Sequence, residues 1–336
     1  MKNRIKGFAP KIRGILMYYA KKIEKTQSKA RTGYDNLYDQ ILSVKNGTNV
    51  KSYATRARYF DGTERFARYC AEEWNLQKFV NVSGKHIRSY VAYMQESGIA
   101  PSTILTDLAS IRYFHKYAGG RNKLPGNREL GLEKREHGKF NRAWLPDEIE
   151  KAVVAAKTMG RMDAAIGIRL GQNFGLRIIE MCRLDVEHLH KAITFGELRI
   201  SGKGGQVRAI PIETKAQKEL VYRLLGYAIS KGLAPGDHLI SNKDKRGVEK
   251  EKKSLQSWMH NHRGKFIDPE RLSKVASGEK ARVKLPSWHG LRHYYAQSMH
   301  KSLRDIDGKY ALKEVSERLG HHRPGITKDY LAEAKS

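Results

Sequence analysis

A tyrosine stands nine positions after a histidine near the end of this sequence, close behind a His-x-x-Arg. The segments read Trp288-His289-Gly290-Leu291-Arg292-His293, Leu319-Gly320-His321 and Thr327-Lys328-Asp329-Tyr330. Upstream stand Gly175-Leu176-Arg177-Ile178-Ile179-Glu180 and Ser201-Gly202-Lys203-Gly204-Gly205. Two arginines, a lysine, two histidines and a late tyrosine form a kit for attacking a phosphodiester. A tyrosine that replaces water as nucleophile leaves a covalent phosphotyrosine. That bond conserves the energy for religation, so no ATP is needed. The phenol has an unperturbed pKa of about 10, so it requires strongly positive surroundings or a base. Charge on the transferring phosphoryl must also be stabilised, and the sequence offers no Asp/Glu cluster of the kind that holds Mg²⁺. Arginines can take that role, because a guanidinium is always charged and forks onto two phosphate oxygens. A lysine at a hairpin tip can give the leaving 5′-oxygen its proton. No metal and no cofactor is expected.

The bulk composition agrees with a nucleic-acid partner. The chain of 336 residues carries 64 Lys+Arg against 35 Asp+Glu, a formal net charge of +29. Such an excess repels itself unless a polyanion is nearby. Ribosomal and membrane-surface proteins share the charge; the motifs turn the reading toward DNA. Length allows two domains with sizeable cores. Cys70 and Cys182 make neither a disulfide framework nor a zinc set, and are expected as buried free thiols in a reducing compartment. No apolar run approaches the ~18 residues of a membrane span. The run Ile15 to Ala20 is too short for a signal-peptide core and is closed by Lys21 and Lys22. The expectation is a cytoplasmic, nucleoid-associated protein with no membrane partner.

The elements that must position the kit follow from apolar periodicity. Residues 1–50 read as a basic, weakly patterned N-terminal extension with a short helix around Lys11 to Lys25. Residues 51–120 read as a helical DNA-binding domain. Tyr53, Ala57, Phe60, Phe66, Tyr69 and Cys70 give a first stripe running to Trp74. Ser83 caps a second helix, with Ile87, Tyr90, Val91 and Met94 inward and Gly98 as its stop. A third helix after Pro101 carries Ile104, Leu105, Leu108, Ile111 and Phe114. Arg56, Arg58, Lys85, Arg88 and Arg112 on these helices are candidate phosphate contacts. Residues 121–142 read as a basic linker, with Arg121, Lys123, Arg128, Lys134 and Arg135 as further candidates. Residues 143–336 read as a second domain, opened by a helix at Pro146-Asp147-Glu148. In it, Met162 to Phe174 is a buried helix, and strands Ile193 to Ser201 and Val207 to Ile212 flank the Gly-Lys-Gly-Gly turn. Helices resume from Glu213 to Lys231, and the charge run from Asn242 to Ser254 reads as mobile or DNA-facing. The fold class is mainly α with a small antiparallel β-sheet.

With these motifs in this order, residues 50 to 334 resemble a tyrosine recombinase of the phage and mobile-element integrase family. Gly-Leu-Arg-x-x-Glu matches the family's first arginine at Arg177, with Glu180 as its acidic companion. Gly-Lys-Gly-Gly matches its lysine at Lys203, His-x-x-Arg its His289 and Arg292, and Leu-Gly-His its second histidine at His321. The nucleophile then falls at Tyr330. The resemblance implies a two-domain clamp around duplex DNA, with a helical core-binding domain and an α+β catalytic domain. It also implies two protomers on each recombination site, a homo-tetramer on DNA, and strand exchange through a Holliday junction. Accessory DNA-bending or excision factors are left open. His293 and His322 sit beside the motif positions and read as packing or phosphate-contact residues. Gly290, where relatives often carry an acidic residue, reads as neutral. The stretch from Asn242 to Leu285 is long and basic, and the tail after Tyr330 is short, so contacts made by those segments do not carry over. Two other readings share these features: a type IB topoisomerase-like or hairpin-resolving enzyme, and a non-catalytic DNA-binding protein derived from an integrase.

Overall fold

The computed structural model describes residues 29–48, 53–133, 140–202, 205–241, 245–276, 284–305, 308–321 and 324–331. Among the described residues the chain is mainly helical with one antiparallel two-stranded sheet, and it divides into two compact units, Met1–Arg135 and Glu136–Ser336. The helix expected around Lys11 to Lys25 lies outside the described residues.

The first unit holds α1 (Lys29–Gly47), α2 (Tyr53–Trp74), α3 (Gly84–Glu96) and α4 (Pro101–Tyr117). Its core is Leu37, Ile41, Phe60, Phe66, Phe79, Ile87, Ile104, Leu108 and Phe114. Helices α2 and α4 pack closely because Gly62 has no Cβ; one placed there would come within 2.8 Å of Asp107 Oδ1 and Ser110 Oγ. The buried Asp107 carboxylate is held there by Arg65 Nη2 at 2.7 Å and by the Tyr90 hydroxyl at 3.3 Å. A buried charge is tolerated only with such partners. At the start of α3, the Ser83 backbone N–H donates to His86 Nδ1 at 3.0 Å, and Gly98 leaves the helix with φ +69°.

Two expected boundaries are corrected. Residues 29–47 are not a weakly patterned extension: α1 buries Leu37 and Ile41 completely in this core. Tyr34, Leu37, Tyr38 and Ile41 follow helical spacing, but intervening charges dilute the stripe. The first half of the expected linker is likewise folded onto this unit. Arg112 donates to the Pro125 carbonyl at 2.6 Å and to Asn127 Oδ1 at 2.8 Å, Asn122 donates to the Val82 carbonyl at 2.9 Å, and Leu130 is buried. At Asn141 the chain is already in the second unit, where the Asn141 carbonyl accepts the Lys284 N–H at 3.2 Å.

The second unit comprises α5 (Pro146–Thr158), α6 (Met162–Phe174), α7 (Ile178–Cys182), α8 (Val186–Phe195), β1 (Glu197–Ser201), β2 (Val207–Pro211) and α9 (Lys215–Ser230). There follow α10 (Lys245–His262), α11 (Pro269–Ala276), α12 (Trp288–Arg304), α13 (Gly308–Leu319) and α14 (Pro324–Tyr330). Helix α6 is the central post. A Cβ on Gly167 would stand 3.0 Å from the Trp288 ring, and one on Gly171 2.9 Å from Leu291 Cβ. These two glycines therefore let α12, which carries the His-x-x-Arg, lie directly against α6. Burial pushes both cysteine thiols upward in pKa, Cys182 to about 12, so neither is a thiolate near neutrality.

Two segments differ from expectation here as well. Residues Ile193 to Phe195 end helix α8 instead of opening the first strand, which begins at Glu197. The charge run around 242–254 enters an ordered helix: α10 is anchored by Val248, Leu255, Trp258 and Met259, all buried. Its apolar residues sit at seven-, three- and one-residue intervals, so they share one face while lysines and glutamates cover the other. Among the described residues no helix is long and apolar enough to cross a membrane.

Candidate active site

Helix ends build the site. Gly175, with φ +58°, stops α6 in a left-handed turn, and two residues later Arg177 precedes the first residue of α7. Glu180, in the first turn of α7, accepts the Arg177 backbone N–H at 2.7 Å and Arg177 Nη1 at 2.8 Å. The side chain of Arg177 is thereby fixed from behind while it remains 31% exposed. Arg208 of β2 places Nη1 and Nη2 on the two Glu180 oxygens at 2.8 and 2.6 Å, and its Nε donates to the Arg318 carbonyl at 2.9 Å. Burial alone would raise the Glu180 pKa. The Arg208 and Arg177 bonds and charges overturn that and bring it down to about 2. The carboxylate stays charged at any working pH.

Arg292 lies one helical turn beyond His289 on α12 and is fully buried. Its Nη1 donates to the Gly175 carbonyl at 2.6 Å, and its Nη2 donates to the Leu319 carbonyl and lies 3.2 Å from His321 Nε2. These are free carbonyls at the ends of α6 and α13, which a helix leaves without internal partners. The expected fork of Arg292 onto a phosphate is, in this structure, turned onto protein carbonyls. Burial, then the charges of Arg177 and Arg208, lower its pKa to about 10.

Three histidines surround the tyrosine. His321 follows Gly320, whose φ of +63° ends α13, and its Nδ1 lies 3.1 Å from Thr327 Oγ1. Arg292 has only protons to offer, so His321 Nε2 must accept and Nδ1 carries the hydrogen; the bonding pattern assigns this tautomer. Burial followed by the charge of Arg292 lowers His321 to about 3. His293 is lowered to about 3 by burial, with His289 and Arg142 next. His289 keeps an outward face in water, yet displaced solvent and the charges of Arg292, Arg142 and Arg177 lower it to about 4. All three imidazoles are uncharged near neutrality.

Tyr330, only 8% exposed, fits among them. Its ring stacks on His293 with centroids 4.2 Å apart and planes 14° off parallel. It meets His321 at 4.4 Å and His289 at 5.2 Å, and the Arg292 guanidinium carbon lies 5.9 Å from its centroid. Gln297 Nε2 donates to the Tyr330 carbonyl at 3.1 Å, which ties α14 to α12. Five of the six expected catalytic side chains, Arg177, His289, Arg292, His321 and Tyr330, thus converge with Glu180 behind them. Lys203 lies outside the described residues; the flanking Gly202 N–H donates to the Gln206 carbonyl at 2.7 Å. Among the described residues no group of three or more His, Cys, Asp or Glu side chains is arranged to hold a metal ion.

Three positions, Arg208, Arg142 and Gly290, were missed or misread from sequence. Arg208 is a charged residue in phase with buried Ile210 on a strand whose alternate residues are exposed, a signal present in the pattern. His293, expected to pack or to contact phosphate, packs its ring on the tyrosine. Arg142 acts on His289 and His293 from the chain entering the second unit. Gly290 is not neutral: a Cβ there would lie 2.4 Å from the Arg142 carbonyl and 2.8 Å from the Trp144 ring. The missing side chain is what lets residues 142–144 cross the first turn of α12, where Trp144 Nε1 donates to the Ser287 carbonyl at 2.8 Å.

The expected phosphate contacts divide by environment. Arg58, Lys85, Arg88, Arg121, Lys123 and Arg128 are exposed. Lys85 rests its ammonium 4.9 Å over the Trp74 ring. Arg112 ties the 125–127 turn to α4, and Arg56 donates to the Thr48 carbonyl, so both serve the fold. Lys134 and Arg135 lie outside the described residues.

Comparison with known proteins places these features. The phage integrase family profile matches residues 144–336, and the profile of the phage integrase N-terminal SAM-like domain matches residues 37–122. The chain is similar to tyrosine recombinase XerC of Pelotomaculum thermopropionicum, at 27% identity over 307 residues, 88% of this chain and 92% of that protein. Among solved structures it resembles a lambda integrase dimer bound to a COC′ core site, with TM-score 0.60, 16% identity, and coverage of 89% of this chain and 97% of that one. It also resembles a lambda integrase tetramer bound to a Holliday junction, with TM-score 0.58, 15% identity, and coverage of 89% and 79%.

Proposed function

Because the chain belongs to the phage integrase family, we propose that it is a site-specific DNA recombinase that cuts and rejoins strands through Tyr330, without metal or ATP. The observation that carries this reading is the packing of the Tyr330 ring among three uncharged imidazoles, beside buried Arg292 and partly exposed Arg177. In the cleavage step the Tyr330 oxygen forms a bond to the scissile phosphorus, and the bond from phosphorus to the 5′-oxygen breaks. The phenol proton passes to a neighbouring neutral imidazole, and Lys203 supplies a proton to the departing 5′-oxygen. Arg177, braced by Glu180, holds a non-bridging oxygen, and Arg292 adds its charge from beneath. Religation is the same step reversed by a 5′-hydroxyl from the partner strand. The full reaction takes place in a homo-tetramer, two protomers on each double-stranded site, with a Holliday junction as intermediate. The lambda integrase assemblies of the same fold support that arrangement.

A suicide substrate, nicked so that the cleaved fragment diffuses away, tests the reading. Wild-type protein should accumulate a covalent protein–DNA adduct in the presence of EDTA. Tyr330→Phe should bind the same DNA with nearly unchanged affinity and form none, since one hydroxyl is a small part of a large electrostatic interface. An adduct with Tyr330→Phe would reassign the nucleophile. Relaxation of a plasmid lacking any recombination site would shift the reading to a topoisomerase.

A further inference from the structure

We propose that Arg208 is a positioning residue of the recombinase site, the buried brace that holds Glu180, and through it Arg177, in register with the Leu319-Gly320-His321 turn.

The geometry comes from three directions. Arg208 is 8% exposed, so it has no surface from which to meet DNA. Its two terminal nitrogens each hold one Glu180 oxygen, at 2.8 and 2.6 Å. Those same oxygens hold the Arg177 side chain at 2.8 Å and the Arg177 backbone at 2.7 Å. Both carboxylate oxygens are therefore shared between two arginines. Without Arg208, Glu180 would keep only its two Arg177 bonds, one to the backbone N–H and one to the side chain that it fixes, and would no longer be clamped from the opposite side. The third nitrogen, Nε, donates to the Arg318 carbonyl at 2.9 Å, within the last turn of α13 and just before His321. Gly320 lies flat against the Arg208 stem; a Cβ there would stand 3.1 Å from Cδ. Arg208 is also paired across the hairpin with Ile200. One side chain thus links the segments bearing Arg177 and His321 to the strand β2.

The chemistry favours arginine over any substitute. A guanidinium offers donors in a planar fork that matches a carboxylate and leaves Nε for a third partner. Lysine, a point charge with a flexible stem, supplies neither geometry. Misplacement of a catalytic group by about 1 Å costs on the order of 10²-fold in rate.

This inference rests on the proposed reaction, and the two fail differently. No adduct from wild-type protein overturns the reaction; adduct at equal rates from wild type and variant overturns the role of Arg208. The assay is single-turnover cleavage of the suicide substrate by wild type, Arg208→Gln and Arg208→Lys, alongside DNA affinity. Arg208→Gln should cleave on the order of 10²-fold more slowly with affinity changed less than about twofold, and Arg208→Lys should fall between. Two further measurements separate positioning from folding. Phosphorothioate substitution of each non-bridging oxygen in turn should give wild type a clear preference between the two diastereomers. In Arg208→Lys that preference should flatten, because Arg177 no longer aims at one oxygen. The double variant Glu180→Gln, Arg208→Gln removes both buried charges. It should regain thermal stability lost by the single variant while its cleavage stays slow. A full diastereomer preference in Arg208→Lys, or wild-type cleavage in the double variant, would overturn the proposal.

Discussion

Acidification gives a direct test of the imidazole cluster. His293 and His321 are held neutral to a pKa of about 3, whereas the unfolded chain binds protons at about 6.5. Below that value the unfolded state takes up protons that the folded state refuses. Stability therefore falls as pH drops through about 6.5, and the loss continues until the folded pKa is reached. At pH 5.5, one unit below the unfolded value, each group costs about 1.4 kcal/mol relative to pH 8, so the pair costs about 3 kcal/mol. His289 adds less, because water screens its exposed face. Glu251 acts with the opposite sign: burial and then Asp163 raise it to about 7, so its penalty shrinks over the same pH range. The comparison with variants removes that background. Urea unfolding of wild type, His293→Asn and His321→Asn should be followed by tryptophan fluorescence at pH 8 and 5.5. Three of the four tryptophans, Trp144, Trp258 and Trp288, report on the second unit. Each variant should lose about 1.4 kcal/mol less than wild type on acidification. An equal loss in wild type and both variants would refute the neutral cluster.

Other expectations bear on single residues. Lys203→Ala should slow cleavage of ordinary DNA, and a 5′-bridging phosphorothiolate, whose leaving group needs no proton, should restore much of the rate; equal defects on both substrates would rule out general-acid duty. Arg177→Lys and Arg292→Lys should each remain slow by orders of magnitude, the first for want of a fork onto phosphate, the second because one ammonium cannot span the Gly175 and Leu319 carbonyls. Near-normal single-turnover rates in either would contradict those roles. Gly290→Ala should destabilise the second unit by about 1–3 kcal/mol, since the methyl group meets backbone and an indole ring that cannot both move aside; an unchanged urea midpoint would show that they can.

Residues that recur in short motifs were legible because each motif fixes local geometry. His289 and Arg292 are one turn apart on a helix, and Leu-Gly-His spells a left-handed helix end followed by a functional side chain. What escaped the sequence was coupling between distant segments. Arg208 meets Glu180 from 28 positions away, and nothing in the spacing of a single strand names that partner. Helix α1 was obscured because its stripe is half tyrosine and its other face is charged. The run around 242–254 looked mobile because eleven consecutive residues supplied one apolar anchor, Val248; the helix is secured only beyond it, by Leu255, Trp258 and Met259. Gly290 looked neutral because close approach by residues 142–144 is a tertiary fact.

The electrostatics of the site explain why these partners must be so tightly specified. Arg177, Arg208 and Arg292 crowd around a single carboxylate, Glu180, so the described cluster carries two positive charges more than it neutralises. Burial, and after it repulsion from Arg177 and Arg208, lowers the pKa of Arg292. Burial first, and then this excess of positive charge, opposes protonation of the histidines and lowers their pKa values. An arrangement with unrelieved like charge is held together by its surroundings: helix-end carbonyls on Arg292, and a backbone N–H with two arginines on Glu180. A phosphodiester entering beside Arg177 would supply the missing negative charge, and the fixed donors would need no reorganisation to receive it. The same charge would raise the pKa of the nearest imidazoles, making them better proton acceptors at the moment the phenol must lose its proton. In the proposed reaction, the excess charge that destabilises this cluster would thus be the feature that favours the transition state.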